Sequence, residues 1–384
     1  MKNKDIICIS TSDWRRPWGS KQHLMTKLSE YNRVLYIEYQ SSLLDFIRYP
    51  GYAFKKLSDI NKLRKISENI YIYTPIPTFP FGFHSIFINK INQLILGFFL
   101  IKLINKLKFK DLVLWFYSPI SAYQIGRMNE SAVVYHCIAD FIHEKRNYFR
   151  KITINILERC LIQRAHIVLT LTQDLQKRFK ELNQNTFYFP SAVNIAYFSE
   201  VRSRAGDEPK DISLITGPRL GVVGYLDGNI LDIDLLDYIA KANPGWSIVM
   251  IGPLFRKSLS LLKLNKNKNV SFLGEKTPSL IPQYLKYLDV CLIPYMRNEF
   301  THNVSAIKLY EYLAMGKPVV STFFSDELAG LETIIGIAED KKQFLESIRY
   351  FLNCKDDREK LAARINFAAD NSWQKRLDFL ADKI

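Results

Sequence analysis

Two charged residues, Lys308 and Glu311, stand three apart in THNVSAIKLYEYLAMGKPVVSTFF, residues 301–324. On a helix they share one face. A lysine in a first helical turn adds positive charge to an end already poised for anions. Such a pair suits a nucleotide diphosphate, with the carboxylate free to accept ribose hydroxyls. The same spacing also describes an i,i+3 ion pair on a solvated face. A second place for chemistry is AVVYHCIADF, residues 132–141. Asp140 could act as general base toward a hydroxyl, or it could cap a helix. His136 beside it could take the same proton, or it could be a core histidine. Gly19, in the loop TSDWRRPWGS, is either a turn glycine or a point on the edge where parallel sheets bind ligands. No acidic DxD-type cluster and no His/Cys set reads as a metal site.

These residues need strands and helices to hold them. Residues 306–315 carry apolar positions at helical spacing, Gly316 ends that helix, and Val319–Thr322 is a β-branched strand after Lys317-Pro318. A helix that returns at once to a strand belongs to a doubly wound sheet. The first half begins with a strand at 5–10, a helix at 21–31 capped by Ser20, and a strand at 33–39. Further strands are expected at 112–116, 132–137 and 167–172, with helices at 148–164 and 174–182. The second half repeats the alternation. Its strands lie at 219–223, 246–251, 270–273 and 290–294, and its helices at 232–242 and 278–288. Helices at 341–352, 356–369 and from Ser372 close the chain. The alternation predicts two parallel sheets.

The 384 residues suffice for two domains, and 48% hydrophobic with 24% charged residues is a globular composition. The net charge of +15 is uneven. Residues 1–200 hold 28 Lys and Arg against 15 Asp and Glu, an excess of 13, and the rest of the chain carries an excess of 2. That asymmetry points to an anionic partner for the first half. Five scattered cysteines without a CxxC pair read as reduced thiols of a cytoplasmic protein. The N-terminus runs directly into a strand-like segment, so no signal peptide is expected. The most apolar run, 94–101, is shorter than the ~20 residues of a membrane span.

Residues 41–110 interleave basic and aromatic side chains, followed by a long apolar and basic helix at about 86–108. This is the texture of an interfacial membrane surface, or of an amphipathic helix covering a sheet with snorkelling lysines. No RNA-binding motif accompanies the charge, so no nucleic-acid partner is expected. Residues 202–212, RSRAGDEPKDI, are polar and read as a linker. The expected domains are therefore 1–201, a second domain at 213–371, and a terminal helix at 372–384.

Several segments, in order, resemble the GT-B glycosyltransferases of the family-4-like group 1 type, which build bacterial surface polysaccharides. KLYEYLAMGKPVVST resembles that family's signature segment, and FPSAVNIAYFS the segment closing its first domain. LGVVGYLDGN and NVSFLGEKTPSLIPQYLKYLDVCLIPY resemble its donor domain. STSDWRRPWGSKQHLMTKL with RVLYIEYQ is similar to the acceptor-domain start of teichuronic-acid and xanthan-type transferases. The resemblance implies an α/β fold of two Rossmann-like domains facing a central cleft, with the final helix crossing back to the first. It implies Glu311 on the donor ribose, Lys308 on the diphosphate, Gly224 and Tyr225 under the phosphates, and Leu273 and Gly274 beside the base. Gly19 would let backbone approach the donor, and Asp140 matches an acidic position used as base in some relatives. Asn303 stands where the family often has its first glutamate, and GYLDGNILDID lacks the Arg and Lys many members carry. Arg219 or Arg297 could then share the phosphate charge.

The implied function is a hexosyltransferase using a nucleotide diphosphate-sugar such as a UDP-sugar. Its acceptor would be a lipid-linked or oligosaccharide hydroxyl, reached from the inner, anionic face of the plasma membrane, without cofactor or metal. A nucleotide-sugar epimerase of the same fold, or a catalytically weak partner subunit, is the alternative.

Overall fold

The computed structural model describes residues 2–15, 19–141, 148–204, 206–254, 258–304, 307–354 and 357–383. The chain divides into two compact units, residues 1–190 with 376–384, and residues 191–375.

The first unit is built on eight strands. They are β1 (Asp5–Ile9), β2 (Arg33–Ile37), β3 (Leu63–Lys65), β4 (Ile70–Tyr73), β5 (Leu112–Phe116), β6 (Ala132–Cys137), β7 (Ile167–Thr170) and β8 (Thr186–Tyr188). Their order is β3-β4-β2-β1-β5-β6-β7-β8. All neighbours are parallel except β3 and β4. DIICI and LVLWF are buried at every position, as continuous apolar strands must be when both sheet faces are covered.

The basic and aromatic stretch after β2 resolves into two short helices, Leu43–Arg48 and Pro50–Leu57, before β3 and β4. Ile86–Leu107 is one helix of 22 residues, opened by Ser85, whose side chain accepts from the Ile88 N–H. The apolar run expected to be too short for a span lies inside this helix, which is long and apolar enough to cross a membrane. Its buried face carries Asn89, Asn92 and Gln93 as well as Leu96, Leu100 and Leu103. Phe87, Leu94, Phe98 and Ile101 are exposed on its other side.

The second unit holds β9 (Arg219–Val223), β10 (Ser247–Ile251), β11 (Val270–Gly274), β12 (Val290–Ile293), β13 (Val319–Thr322) and β14 (Gly336–Ala338). Their order, β11-β10-β9-β12-β13-β14, is that of a doubly wound dinucleotide-type sheet, parallel throughout. Short β8 and β14 escaped the sequence reading because three-residue edge strands carry almost no periodic signal.

The unit boundary falls earlier than expected. Residues 202–212 are not a free linker. Val193, Phe198 and Ile212 join the core of the second unit, where helix Ile195–Ser203 packs on Ile281–Lys286 and Ile307–Ala314. Polarity misled the reading, because one apolar residue inside the segment, Ile212, suffices to dock its end on that core. The last helix, Trp373–Ala381, returns to the first unit. There Phe379 meets Phe187 and Phe189 at 5.7 and 6.2 Å, and Arg376 Nε donates to the Pro190 carbonyl at 3.1 Å.

Among the described residues no disulfide forms. Cys8, Cys137 and Cys291 are buried thiols, and Cys160 and Cys354 are partly buried.

Candidate functional site

In the second unit the chemistry collects at the carboxyl ends of the strands, where the strand order reverses between β9 and β12. Gly224, Gly252 and Gly274 follow or end three neighbouring strands. All lie at positive φ, +139°, +146° and +69°, which disfavours any side chain there. They are tied together. Gly224 N–H donates to the Ile251 carbonyl and Gly252 N–H to the Gly274 carbonyl, each at 2.9 Å. A Cβ on Gly252 would lie 1.7 Å from the Gly224 carbonyl oxygen, so the two turns touch only because Gly252 has no side chain. Gly252 was seen in the sequence only as a strand end. The Gly-Pro pair after an apolar run was the signal available.

The helix Ile307–Ala314 brings Lys308 to this edge. Residues 305 and 306, including the expected helix start at Ala306, lie outside the described residues, as does Asp356, the expected start of a later helix. Lys308 Nζ pairs with Glu311 Oε2 at 2.7 Å, and both side chains are mostly buried, at 18% and 9% exposure. The pair is therefore not the solvated surface pair that spacing alone allowed. The Lys308 stem runs beside Gly224, where an added Cβ would stand 3.6 Å from Lys308 Cε. One turn on, the Tyr312 hydroxyl accepts the Val223 N–H at 3.0 Å and fixes the helix to the end of β9. At the helix's other end, Arg202 and Arg364 donate to the carbonyls of Ala314 and Gly316 at 2.5 and 2.7 Å. Cations there complement the helix dipole.

The remaining donor-side residues are placed less tightly. Tyr225 is 44% exposed after Gly224, and Leu273 packs partly into the core before Gly274. Asn303 closes the short helix Glu299–His302 with an ordinary φ of −96°. Arg219 cannot share the phosphate charge. It opens β9 at the opposite sheet edge and is bound to Glu208 and to the Ile215 carbonyl. Arg297 lies over the Phe323 ring, with a long 3.5 Å contact to the Glu339 carbonyl.

In the first unit the expected proton acceptors are inside the protein. His136 is 1% exposed on β6, ringed by Trp115, Tyr117 and Phe189 with centroids at 6.0, 5.0 and 5.3 Å. Neither ring nitrogen has a hydrogen-bond partner. Burial first, and the charge of Lys21 second, drive its pKa down to about 3, so it is neutral. It is a core histidine, not a base. Asp140 does follow β6, but its carboxylate is 3% exposed and paired with Arg178 at 3.0 Å. Behind it Glu158 accepts from the Tyr135 hydroxyl at 2.6 Å, and burial lifts its pKa to about 7. Asp140 thus belongs to a buried ionic cluster rather than to an open edge. A strand-end position is legible in sequence, but the direction of its side chain is not.

Gly19, not Ser20, is the N-cap of helix Ser20–Leu28. Its φ of −121° is ordinary extended backbone, and a Cβ would meet only Gln22 Oε1, at 4.0 Å. Open space, rather than backbone conformation, is what a glycine offers here.

The edge of the first sheet does hold a cavity of about 450 Å³, within the usual range of small-molecule sites. The ends of β1, β2, β5 and β6 form its floor. Asn89, Asn92 and Gln93 of the long helix and the segment 78–84 wall it.

Two doubly wound units of this topology make the GT-B fold, and residues 217–354 of the second match the family model of glycosyl transferases group 1. The chain thus has the GT-B fold and carries a segment similar to the glycosyl transferases of group 1. Among individual proteins it is similar to TuaH of Bacillus subtilis (strain 168), described as a proposed teichuronic acid biosynthesis glycosyltransferase. The two are 28% identical over 181 residues, 45% of this chain and 44% of TuaH, so the match spans less than half of that relative.

Solved structures extend the likeness in fold to the whole chain. HepE of Anabaena in complex with UDP and glucose is 14% identical with a TM-score of 0.65, covering 98% of both chains. The sucrose-phosphate synthase of Thermosynechococcus elongatus is 12% identical with a TM-score of 0.68, covering 99% of this chain and 98% of its own. A UDP-forming trehalose-phosphate synthase of Burkholderia xenovorans is 14% identical with a TM-score of 0.69, at 99% and 98% coverage.

Proposed function

We propose that the chain moves a sugar from a nucleotide diphosphate-sugar, a UDP-sugar first, to a hydroxyl of a lipid-linked or oligosaccharide acceptor in bacterial cell-surface polysaccharide synthesis. The observation that carries this reading is the sheltered Lys308–Glu311 pair against Gly224 on the edge of a group 1 domain. In transfer the acceptor oxygen bonds to the anomeric carbon as the bond from that carbon to the diphosphate oxygen breaks. Negative charge grows on the departing diphosphate. An ammonium already fixed beside a side-chain-free turn meets that charge without reorganisation. Glu311 is left to accept the ribose hydroxyls once Lys308 turns to phosphate. This arrangement calls on no metal.

HepE, described with UDP and glucose, and the UDP-forming synthase support UDP as the nucleotide. TuaH supports a surface-polysaccharide role. The membrane side of the reading rests on the first unit. There Leu43, Ile47, Phe54 and Leu57 of two short helices, and Phe87 and Phe98 of the long one, are exposed large apolar groups. Lysines sit among them, Lys102 lying 4.1 Å from the Phe98 ring. Apolar side chains amid lysines fit an anionic leaflet and support a peripheral protein of the cytoplasmic face.

The test is a thermal-shift screen of the full chain against UDP and UDP-sugars, with donor consumption read in parallel. A UDP-sugar should raise the melting temperature and be consumed faster with acceptor lipid present. A chain that neither shifts nor turns over any nucleotide sugar would sink the proposal. Co-sedimentation with anionic but not neutral vesicles tests the membrane arm separately.

A further inference from the structure

The cavity at the edge of the first sheet contains a cation, Arg150, that has no polar partner among the described residues. Arg150, on the helix Tyr148–Arg164, is half-buried with its guanidinium 4.4 Å from the Phe83 ring. Its Nε is buried without a partner, and among the described residues the group makes no hydrogen bond and no ion pair. Burial pulls its pKa down, and only Tyr39 and Asp45 pull it back. A half-buried guanidinium whose buried Nε–H has no partner is costly unless a ligand takes it up.

The acidic groups of the cavity are already committed. Glu38 binds Arg64 at 3.0 Å, the Thr74 hydroxyl and the Trp14 N–H, and Asp45 accepts the Ser42 N–H at 2.8 Å. Arg48 stands exposed at the rim, likewise without an ion pair among the described residues. Inside, His84 Nδ1 is buried and unpartnered, with its pKa lowered by burial and by Arg150. Asn89 donates to the Ile120 carbonyl at 3.0 Å and keeps a buried, unpartnered Oδ1. Asn92 is fixed by two bonds to the Phe79 backbone, at 2.9 and 3.0 Å. The wall thus offers a preset fork of donors, one neutral imidazole and one free amide oxygen beside a phenyl ring. That set matches a sugar-sized group bearing a negative charge.

We infer that this cavity binds the acceptor through an anionic substituent, a carboxylate or a phosphoryl group, held in bidentate fashion by Arg150. The inference deepens the glycosyl-transfer reading by naming the acceptor's chemistry, and it rests on that reading only in calling the ligand an acceptor. Planar guanidinium fits either oxyanion, so the two sources share one recognition chemistry. Asn89 Oδ1 would take a hydroxyl of the same sugar.

The full chain is treated with phenylglyoxal, and modification of the Arg150 peptide is followed by mass spectrometry. The probes are methyl β-D-glucuronide, α-D-glucose 1-phosphate and the neutral methyl β-D-glucoside. One or both anionic probes should protect Arg150, and the neutral glycoside should not. Protection by the glucuronide alone points to an acidic sugar, and by the phosphate alone to a phosphorylated acceptor. Calorimetric affinity for the protecting probe should fall about tenfold or more in Arg150→Ala and recover in part in Arg150→Lys, which keeps charge but not the fork. Equal protection by the neutral glycoside, protection by no probe, or unaltered affinity in Arg150→Ala overturns the inference. No turnover is read. A chain that binds the anion yet consumes no nucleotide sugar fails the functional proposal and not this one, and the converse result fails this one alone.

Discussion

The two carboxyl edges of this protein are made differently. The second unit presents three side-chain-free turns and one sheltered ion pair, an edge shaped to let a ligand's phosphates lie against backbone. The first presents a walled cavity of amides, phenyl rings and an unpaired arginine, while its acidic and imidazole groups at β6 are turned inward. On the proposed function the diphosphate would lie on the edge built of glycines and one ammonium, and the acceptor in the walled cavity. The family model matches residues 217–354, in the second unit, while charge and exposed apolar surface concentrate in the first.

Three substitutions press on this contrast. Lys308→Ala carries the largest expected effect, a loss of turnover of about 10²–10³-fold with the fold retained. A steady-state transfer assay beside a circular-dichroism melt checks it. Wild-type rates would remove the chemistry from the second edge altogether.

Asp140→Asn should act on stability and not on chemistry. It leaves the Arg178 guanidinium without its counter-ion, at a cost of about 1–3 kcal/mol, the lower end reflecting the partial exposure of Arg178. Urea unfolding should register that cost while the folded enzyme keeps a rate within about tenfold of wild type, since one charge pair is worth no more to it than this. A rate collapse with unchanged stability would return Asp140 to the role of base.

His136→Phe is the mildest. The imidazole is neutral when folded, with a pKa of about 3 against an ordinary value of 6.5. Its contribution to stability is therefore present above pH 6.5 and is lost as the pH falls from there toward 3, at up to about 1.4 kcal/mol per unit. Glu158 opposes this. Its carboxyl, raised to about 7, favours the fold most below its ordinary 4.5 and loses that contribution as the pH rises through 7. The difference between wild type and His136→Phe across pH 3–6.5 isolates the histidine. The variant should show a flatter acid limb in denaturation and the same transfer rate. An identical acid limb would mean that the imidazole is charged or solvated.

Much of the fold was legible because it is written locally. Apolar strands such as DIICI and RLGVV, the Gly316 helix stop and the alternation of strand and helix are short-range signals. The glycine-lined edge of the second sheet was legible too, since Gly224, Gly274 and the Lys308–Glu311 spacing each have a residue type that backbone or charge demands. The segment 202–212 was misjudged because anchoring depends on where one apolar residue, Ile212, lands and not on average polarity. Arg150 left no mark at all, as one more cation in a basic half.

The sequence by itself determined two doubly wound sheets, the carboxyl edge of the second where its glycines and Lys308 gather, and a basic first half. Periodicity, glycine and charge count are properties of neighbours in the chain. Only the tertiary structure decided which charged groups are available. His136 and Asp140 were taken inside by strands and helices far away in sequence, Lys308 and Glu311 were sheltered together, and Arg150 was left facing a cavity without a polar partner among the described residues. Burial and pairing belong to the whole fold, and they convert a residue that could do chemistry into one that is free to do it.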